Sequence, residues 1–104
     1  LIILLDYQVK IQGYRIELGE IEFNARAIIG GRNAVAFTYE GTAGNQEIAM
    51  CLEIGAFDQD EFLKTLKSKL PSYMIPSKVF HLKEFPLNTS GKIDRNMIKK
   101  TVQL

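Results

Sequence analysis

The sequence predicts an α+β domain: a small antiparallel or mixed sheet of about three strands plus a short N-terminal hairpin, packed with about three helices. Residues 34–39 and 47–54 are two extended runs separated by a glycine-containing turn at 41–45, and in the second Ile48, Met50, Leu52 and Ile54 share one face by the two-residue period of a strand. Stripes of apolar residues at helical spacing lie on either side of that pair. A further short apolar run, Lys78–Leu82, follows a turn bounded by Pro71 and Pro76.

From the N-terminus, residues 9–11 alternate with polar neighbours and read as a short strand, with Gly13-Tyr14 turning the chain before Arg15-Ile16. Leu18, Ile21, Ala25 and Ile28 then recur at helical spacing, and Gly30-Gly31 closes that helix. Glu17, Glu20 and Glu22 stand at its start, where carboxylates favour the positive end of the helix dipole; so placed, they are not read as an acid–base pair. The two runs that follow are expected to pair as an antiparallel hairpin. Asp58-Gln59-Asp60-Glu61 opens the next helix with a capping-box pattern, and Phe57 is set to pack on Phe62 as a hydrophobic staple. Phe62, Leu63, Leu66 and Leu70 give its buried stripe, and Pro71 stops it. In the turn at 71–76, Tyr73 and Met74 are expected to pack or to pin the loop. Lys78–Leu82 then forms a third strand, and a last short helix through Met97 and Ile98 is capped by Asp94.

At 104 residues, 46% hydrophobic and 24% charged, the chain has the size and composition of one small soluble domain with a modest core. Thirteen basic residues against twelve acidic leave a formal charge of +1, and no basic block marks a nucleic-acid or membrane-surface partner. The apolar opening, Leu1-Ile2-Ile3-Leu4-Leu5, is far too short to span a bilayer and lacks the charged start and cleavage region of a signal peptide. Without an initiator methionine, the chain is expected to be a piece of a longer one. The single Cys51 excludes an intrachain disulfide and a multi-cysteine zinc site. It lies in an apolar run, is expected in the core, and suits a reducing, cytoplasmic setting. His81 has no second histidine or a cysteine beside it, so no metal site is expected.

The chemistry-bearing segment is Pro86-Leu87-Asn88-Thr89-Ser90-Gly91-Lys92-Ile93-Asp94-Arg95. Ser90-Gly91 permits backbone conformations that a bulkier pair would resist, so Lys92 projects from a loop whose far end Asp94 anchors. A cation held this way suits an anionic reaction centre. The same residues also read as a solvated lysine in an ordinary turn.

The stretch from Asp6 to Glu22, with Gly13-Tyr14-Arg15-Ile16-Glu17-Leu18-Gly19-Glu20-Ile21-Glu22 at its heart, resembles a core motif of the adenylate-forming (AMP-binding) enzyme superfamily. Leu70-Pro71-Ser72-Tyr73-Met74-Ile75-Pro76 resembles a second motif and the lysine loop a third, in the family's order and across nearly the whole chain. The wording is more similar to nonribosomal peptide synthetase adenylation domains and D-alanine–carrier protein ligases than to acyl-CoA synthetases. The resemblance implies that residues 1–104 are a single C-terminal lid subdomain with its hinge near Asp6, and that the large N-terminal domain holding ATP and substrate is absent from this chain.

For function, the resemblance implies a reaction in two halves. A carboxylate, here an amino acid's, attacks the α-phosphorus of ATP to give an acyl-adenylate and pyrophosphate; a phosphopantetheine thiol of a carrier protein, or coenzyme A, then takes the acyl group and releases AMP. The carboxylate is ionised at neutral pH, so the demand is charge control between two anions, not a general base. Lys92 is implied as the catalytic cation that contacts both. Ser90, Gly91 and Asp94 support its loop. Asp6 is implied as the hinge, Arg15 as a nucleotide phosphate contact and Gly13-Tyr14 as the wall of the thiol channel. On residues alone, Arg15 equally suits a surface pair with Glu17 or Glu20, and Asp6 a turn or cap. ATP and Mg²⁺ are implied as substrates bound mainly by the absent domain, with none bound by this fragment alone, which is expected to be inactive by itself.

One departure stands out. Where relatives carry Gly-Arg ahead of the hinge, this chain has Ile3-Leu4, and leucine cannot contact phosphate. Two alternatives stand beside this reading: the lid of an acyl-CoA or aryl-acid ligase, or a stand-alone non-catalytic interaction domain derived from such a lid, to which the Ile3-Leu4 departure lends weight.

Overall fold

Two residues with left-handed backbone open the fold. Gln12 (φ 50°) and Gly13 (φ 86°) form a two-residue turn in the computed structural model, which describes residues 8–102. Positive φ at both central positions gives the turn whose twist suits an antiparallel hairpin. It joins β1 (Gln8–Ile11) to β2 (Tyr14–Glu17), with Ile11 opposite Tyr14 and Val9 opposite Ile16. The sequence pattern put the turn at Gly13-Tyr14. It lies one residue earlier, because Gln12 takes the left-handed position ahead of Gly13 and frees Tyr14 to begin the strand. Asp6 and the Ile3-Leu4 departure lie outside the described residues.

Helix α1 (Leu18–Ile28) follows β2 directly and buries Leu18, Ile21 and Ala25. It closes as expected at Gly30-Gly31, where both glycines have positive φ and the Gly31 N–H donates to the Arg26 carbonyl at 2.7 Å. Strands β3 (Ala34–Glu40) and β4 (Gln46–Glu53) then pair antiparallel, with Ala36 opposite Met50. Strand β5 (Lys78–Leu82) joins the other edge of β4 in parallel, giving a mixed sheet of order β3-β4-β5. A parallel neighbour needs a crossover, and α2 (Gln59–Lys67) with a 3₁₀ turn at Ser72–Met74 supplies it.

Asp58 caps α2, its carboxylate accepting the Glu61 N–H at 3.1 Å, and the Phe57 ring meets Phe62 edge-on at 5.9 Å between centroids. The helix ends at Lys67 rather than running to Pro71. There the Ser68 hydroxyl donates to the Thr65 carbonyl at 2.6 Å, and the N–H groups of Ser68 and Lys69 reach back only three residues, which tightens the last turn. Leu70 is buried beyond the helix, not within it.

Both faces of the sheet are covered. On one, Ile48, Met50 and Leu52 pack with Ala34 and Ala36 under α1 and under Phe62 and Leu66 of α2. On the other, Val35 and Cys51 pack against Phe85 and Ile98, the latter from α3 (Arg95–Thr101). Strand β4 lies between these layers, so residues 48–52 are buried without alternation. This sandwiching sets α3, and with it the lysine loop, on the sheet face opposite α1 and α2.

Candidate functional site

The Lys92 loop is closed by its own hydrogen bonds. Leu87 and Ile93 form an isolated antiparallel bridge, the Asn88 N–H donates to the Lys92 carbonyl at 2.8 Å, and the Asp94 N–H donates to the Pro86 carbonyl at 2.9 Å. Inside this frame the Gly91 N–H returns to the Asn88 carbonyl at 2.9 Å, with Gly91 at φ 82°, a conformation that favours glycine. The Asn88 side-chain oxygen accepts the N–H of Ser90 at 2.8 Å and of Lys92 at 3.1 Å. Lys92 is thus held at both its N–H and its carbonyl while the residue itself is exposed. Asp94 caps α3 through the Met97 N–H at 3.0 Å, as the sequence implies. Asn88 is the organiser that sequence reasoning missed, although an asparagine two residues before a serine is a recognisable side-chain turn.

The second group lies on the β1–β2 hairpin. Gly13, Tyr14 and Arg15 are all exposed, and the Tyr14 ring stacks on Tyr73 with centroids 4.0 Å apart and planes 9° from parallel. Tyr73 therefore pins the hairpin turn to the segment after α2, while its neighbour Met74 enters the core. Among the described residues no carboxylate pairs with Arg15. Glu17 instead accepts the Gln8 amide at 3.1 Å. A groove of about 160 Å³ runs beside the stacked rings, lined by Ile11, Tyr14, Ile48, Tyr73 and Ile75 among others. It is well below the roughly 300 Å³ at which small-molecule pockets begin. A larger hollow, about 560 Å³, shares Glu47 with that groove, is lined also by Tyr39 and Lys78, and contains none of the candidate residues. There the Tyr39 and Ser77 hydroxyls and the Glu47 carboxylate satisfy one another at 2.6 to 3.0 Å.

Glu22, read from the sequence only as a dipole partner at the helix start, has specific partners. It is 3% exposed, and its carboxylate accepts the Ala36 N–H at 2.8 Å while Arg95 Nη2 reaches its two oxygens at 3.3 and 3.4 Å. Arg26, one turn along α1, stands 4.0 Å away. Burial pushes the Glu22 carboxyl above the usual carboxylate range, against the opposing effects of the Ala36 bond and the Arg26 charge. The signal lay in the sequence, since position 22 follows Leu18 by four and precedes Ala25 by three, on the apolar stripe.

Among the described residues no hydrogen bond, ion pair or ring contact joins Lys92 to Gly13, Tyr14 or Arg15. Two other candidates are plain packing residues. His81 lies edge-on to Phe57 at 5.4 Å with Nδ1 3.4 Å from the Ile54 carbonyl, and Cys51 is buried with its thiol pushed up to about 12 by burial. Among the described residues no cluster of His, Cys, Asp or Glu is arranged to hold a metal, and no helix is long and apolar enough to cross a membrane.

With this geometry in place, the comparisons give the class: the chain is homologous to segments of adenylate-forming enzymes. Within that class its sequence is similar to the amino-acid-activating branches. It is 43% identical over 96 residues to a segment of a linear gramicidin synthase from Brevibacillus parabrevis, covering 89% of this chain and 2% of that protein. It is 39% identical over 105 residues to the D-alanine–D-alanyl carrier protein ligase of Bacillus licheniformis, covering 94% of this chain and 21% of the ligase. In structure it matches a holo four-domain nonribosomal peptide synthetase bound to AMP and glycine with a TM-score of 0.76 and 37% identity, over 88% of this chain and 7% of that one. The chain thus spans a small fraction of the length of these relatives. No family model matches it.

Proposed function

We propose that this chain is the mobile C-terminal lid of an ATP-dependent, AMP-forming ligase that activates an amino acid as its acyl-adenylate and passes it to a carrier protein's phosphopantetheine thiol. The observation that carries this reading is the Lys92 loop, in which the Lys92 N–H and carbonyl are both hydrogen-bonded while the residue is exposed. Such a cation is preorganised for the charge that gathers where carboxylate meets α-phosphate. ATP and Mg²⁺ are substrates held mainly by a larger N-terminal domain. Rotation about Asp6 would exchange the two separated groups at the reaction centre. Lys92 serves adenylate formation. Gly13 and Tyr14 wall the path of the thiol, and Arg15, with no carboxylate partner among the described residues, reaches phosphate through its planar fork. Support for an amino acid and a carrier protein comes from the relatives named above. A cytoplasmic setting, where ATP is available, goes with this reading.

The test replaces the matching segment of the D-alanine–D-alanyl carrier protein ligase with this chain and follows ATP–pyrophosphate exchange and carrier loading. Exchange is expected with the wild-type chain and a loss of roughly 10²- to 10³-fold with Lys92→Ala. The chain alone, given ATP, Mg²⁺ and amino acids, is expected to release no pyrophosphate. Release by the chain alone, or an indifferent Lys92→Ala, would sink the reading.

A further inference from the structure

We infer that the Glu22–Arg95 pair is a positioning device for Lys92, clamping the base of the lysine loop to α1 and to the edge of the sheet. The two residues are 73 positions apart, yet Arg95 Nη2 lies 3.3 and 3.4 Å from the Glu22 oxygens. Arg95 is the first residue of α3, next to the cap Asp94 and three beyond Lys92. From Arg95 the connection back to the cation is short and continuous. Asp94 holds the Pro86 carbonyl through its N–H and the Met97 N–H through its carboxylate, and Ile93 bridges Leu87.

The other end of the clamp is fixed as well. Strand β3 is an edge of the sheet, so the Ala36 N–H has no strand partner on its outer side. Glu22 accepts that N–H at 2.8 Å, which anchors the carboxylate to the sheet backbone before Arg95 reaches it. Glu22 is buried, whereas the Arg95 side chain is 40% exposed. A buried carboxylate fixed to the sheet backbone, with Arg95 at 3.3 Å the nearer of two half-exposed cationic partners and Arg26 at 4.0 Å the other, is arranged to locate the Arg95 side chain. The hairpin turn is not in this chain of contacts; it is held separately by Tyr73.

This inference rests on the proposed role of Lys92 in adenylate formation, and it makes a statement that a purely stabilising pair would not. Loss of the clamp should slow the half-reaction that uses Lys92 and spare the one that uses the hairpin. In the complete ligase, Arg95→Met is expected to lower kcat for ATP–pyrophosphate exchange about 10- to 100-fold, the penalty of a small misplacement, with little change in KM for ATP. Transfer from supplied aminoacyl-adenylate to the carrier thiol should stay within about twofold, and Arg95→Lys and Glu22→Gln should fall between Met and wild type. In the 104-residue chain, hydrogen exchange at the Ser90 and Lys92 amides should quicken about tenfold in Arg95→Met while the Cys51 amide is unchanged. Parallel loss in both half-reactions, no loss in exchange, or unchanged protection at Lys92 would each overturn the clamp. If the wild-type ligase shows neither half-reaction, the ligase reading fails, and the amide measurement still decides the clamp.

Discussion

The Tyr14 ring lies face to face with the Tyr73 ring, 4.0 Å between centroids and 9° from parallel, and this contact ties the Gln12-Gly13 turn to the segment that follows α2. Both rings are close to half exposed, Tyr14 at 49% and Tyr73 at 41%, so stacking order rather than burial is what they contribute. Such a pair is worth about 0.5–1.5 kcal/mol beyond its area.

Tyr73→Ala should therefore cost stability at the low end of that range, roughly 0.5 kcal/mol, and loosen the turn. In the complete ligase the thiol-transfer half should slow more than adenylate formation. Tyr73→Phe, which keeps the ring, should restore both. Single-turnover transfer to the carrier protein measures this, and equal effects on both halves would refute it.

Asn88→Ala removes the acceptor for two N–H groups at the loop tip. Because the tip is exposed, water replaces the lost partner and the thermal midpoint should move little, a change of about 1 kcal/mol or less. Adenylate formation should nevertheless fall, since Lys92 loses the bond at its N–H and keeps only the one at its carbonyl. Asn88→Asp keeps a side-chain acceptor and should recover most of it. Denaturation curves beside pyrophosphate exchange separate the two effects.

Asp94→Ala uncaps α3 and should destabilise the chain by about 0.5–2 kcal/mol. Asp58→Ala removes the equivalent bond at α2 for a similar cost. Only the first should affect pyrophosphate exchange in the complete ligase, because Asp94 is bonded into the frame of the lysine loop and Asp58 is not. Urea midpoints and exchange rates for the two variants provide the comparison.

Cys51 predicts alkaline behaviour. Burial raises its thiol from 9.0 to about 12, so the neutral form is favoured by folding. The associated stability is complete below pH 9.0 and is lost as the pH rises through about 12. Tyr39, raised chiefly by burial and then by its bond to Glu47, titrates in the same sense. Urea midpoints should decline above pH 9.0 in the wild type and less steeply in Cys51→Ala, the remaining slope belonging to Tyr39. A thiol reagent at neutral pH should modify Cys51 only as fast as the chain opens.

Much of this fold is legible locally. The Asp58 and Asp94 caps, the Phe57–Phe62 contact, the Gly30-Gly31 stop and the β3–β4 hairpin all follow from residues a few positions apart. What escapes is long-range or set by backbone geometry. No local signal tells Gln12 from Tyr14 as the partner of Gly13 in the turn, and α2 stops at Lys67 because Ser68 turns on Thr65, ahead of the proline that marks the end in the sequence. The place of Lys92 on a loop is evident from Ser90-Gly91, but the Asn88 bonds that stiffen it depend on a closed hairpin. Glu22 is the clearest case. A glutamate near a helix start reads as a dipole partner until β3 presents an unpaired N–H and α3 an arginine, from 14 and 73 residues away.

The bonds that shape the Asn88–Lys92 tip begin and end within it. Ordering one residue's backbone costs about 1–2 kcal/mol of entropy, and here that loss is incurred once, when the polypeptide first collapses. A docking event that brings the ammonium to a new surface then has no coil to freeze. The tip arrives as a finished casting, and what docking still has to order is the lysine side chain.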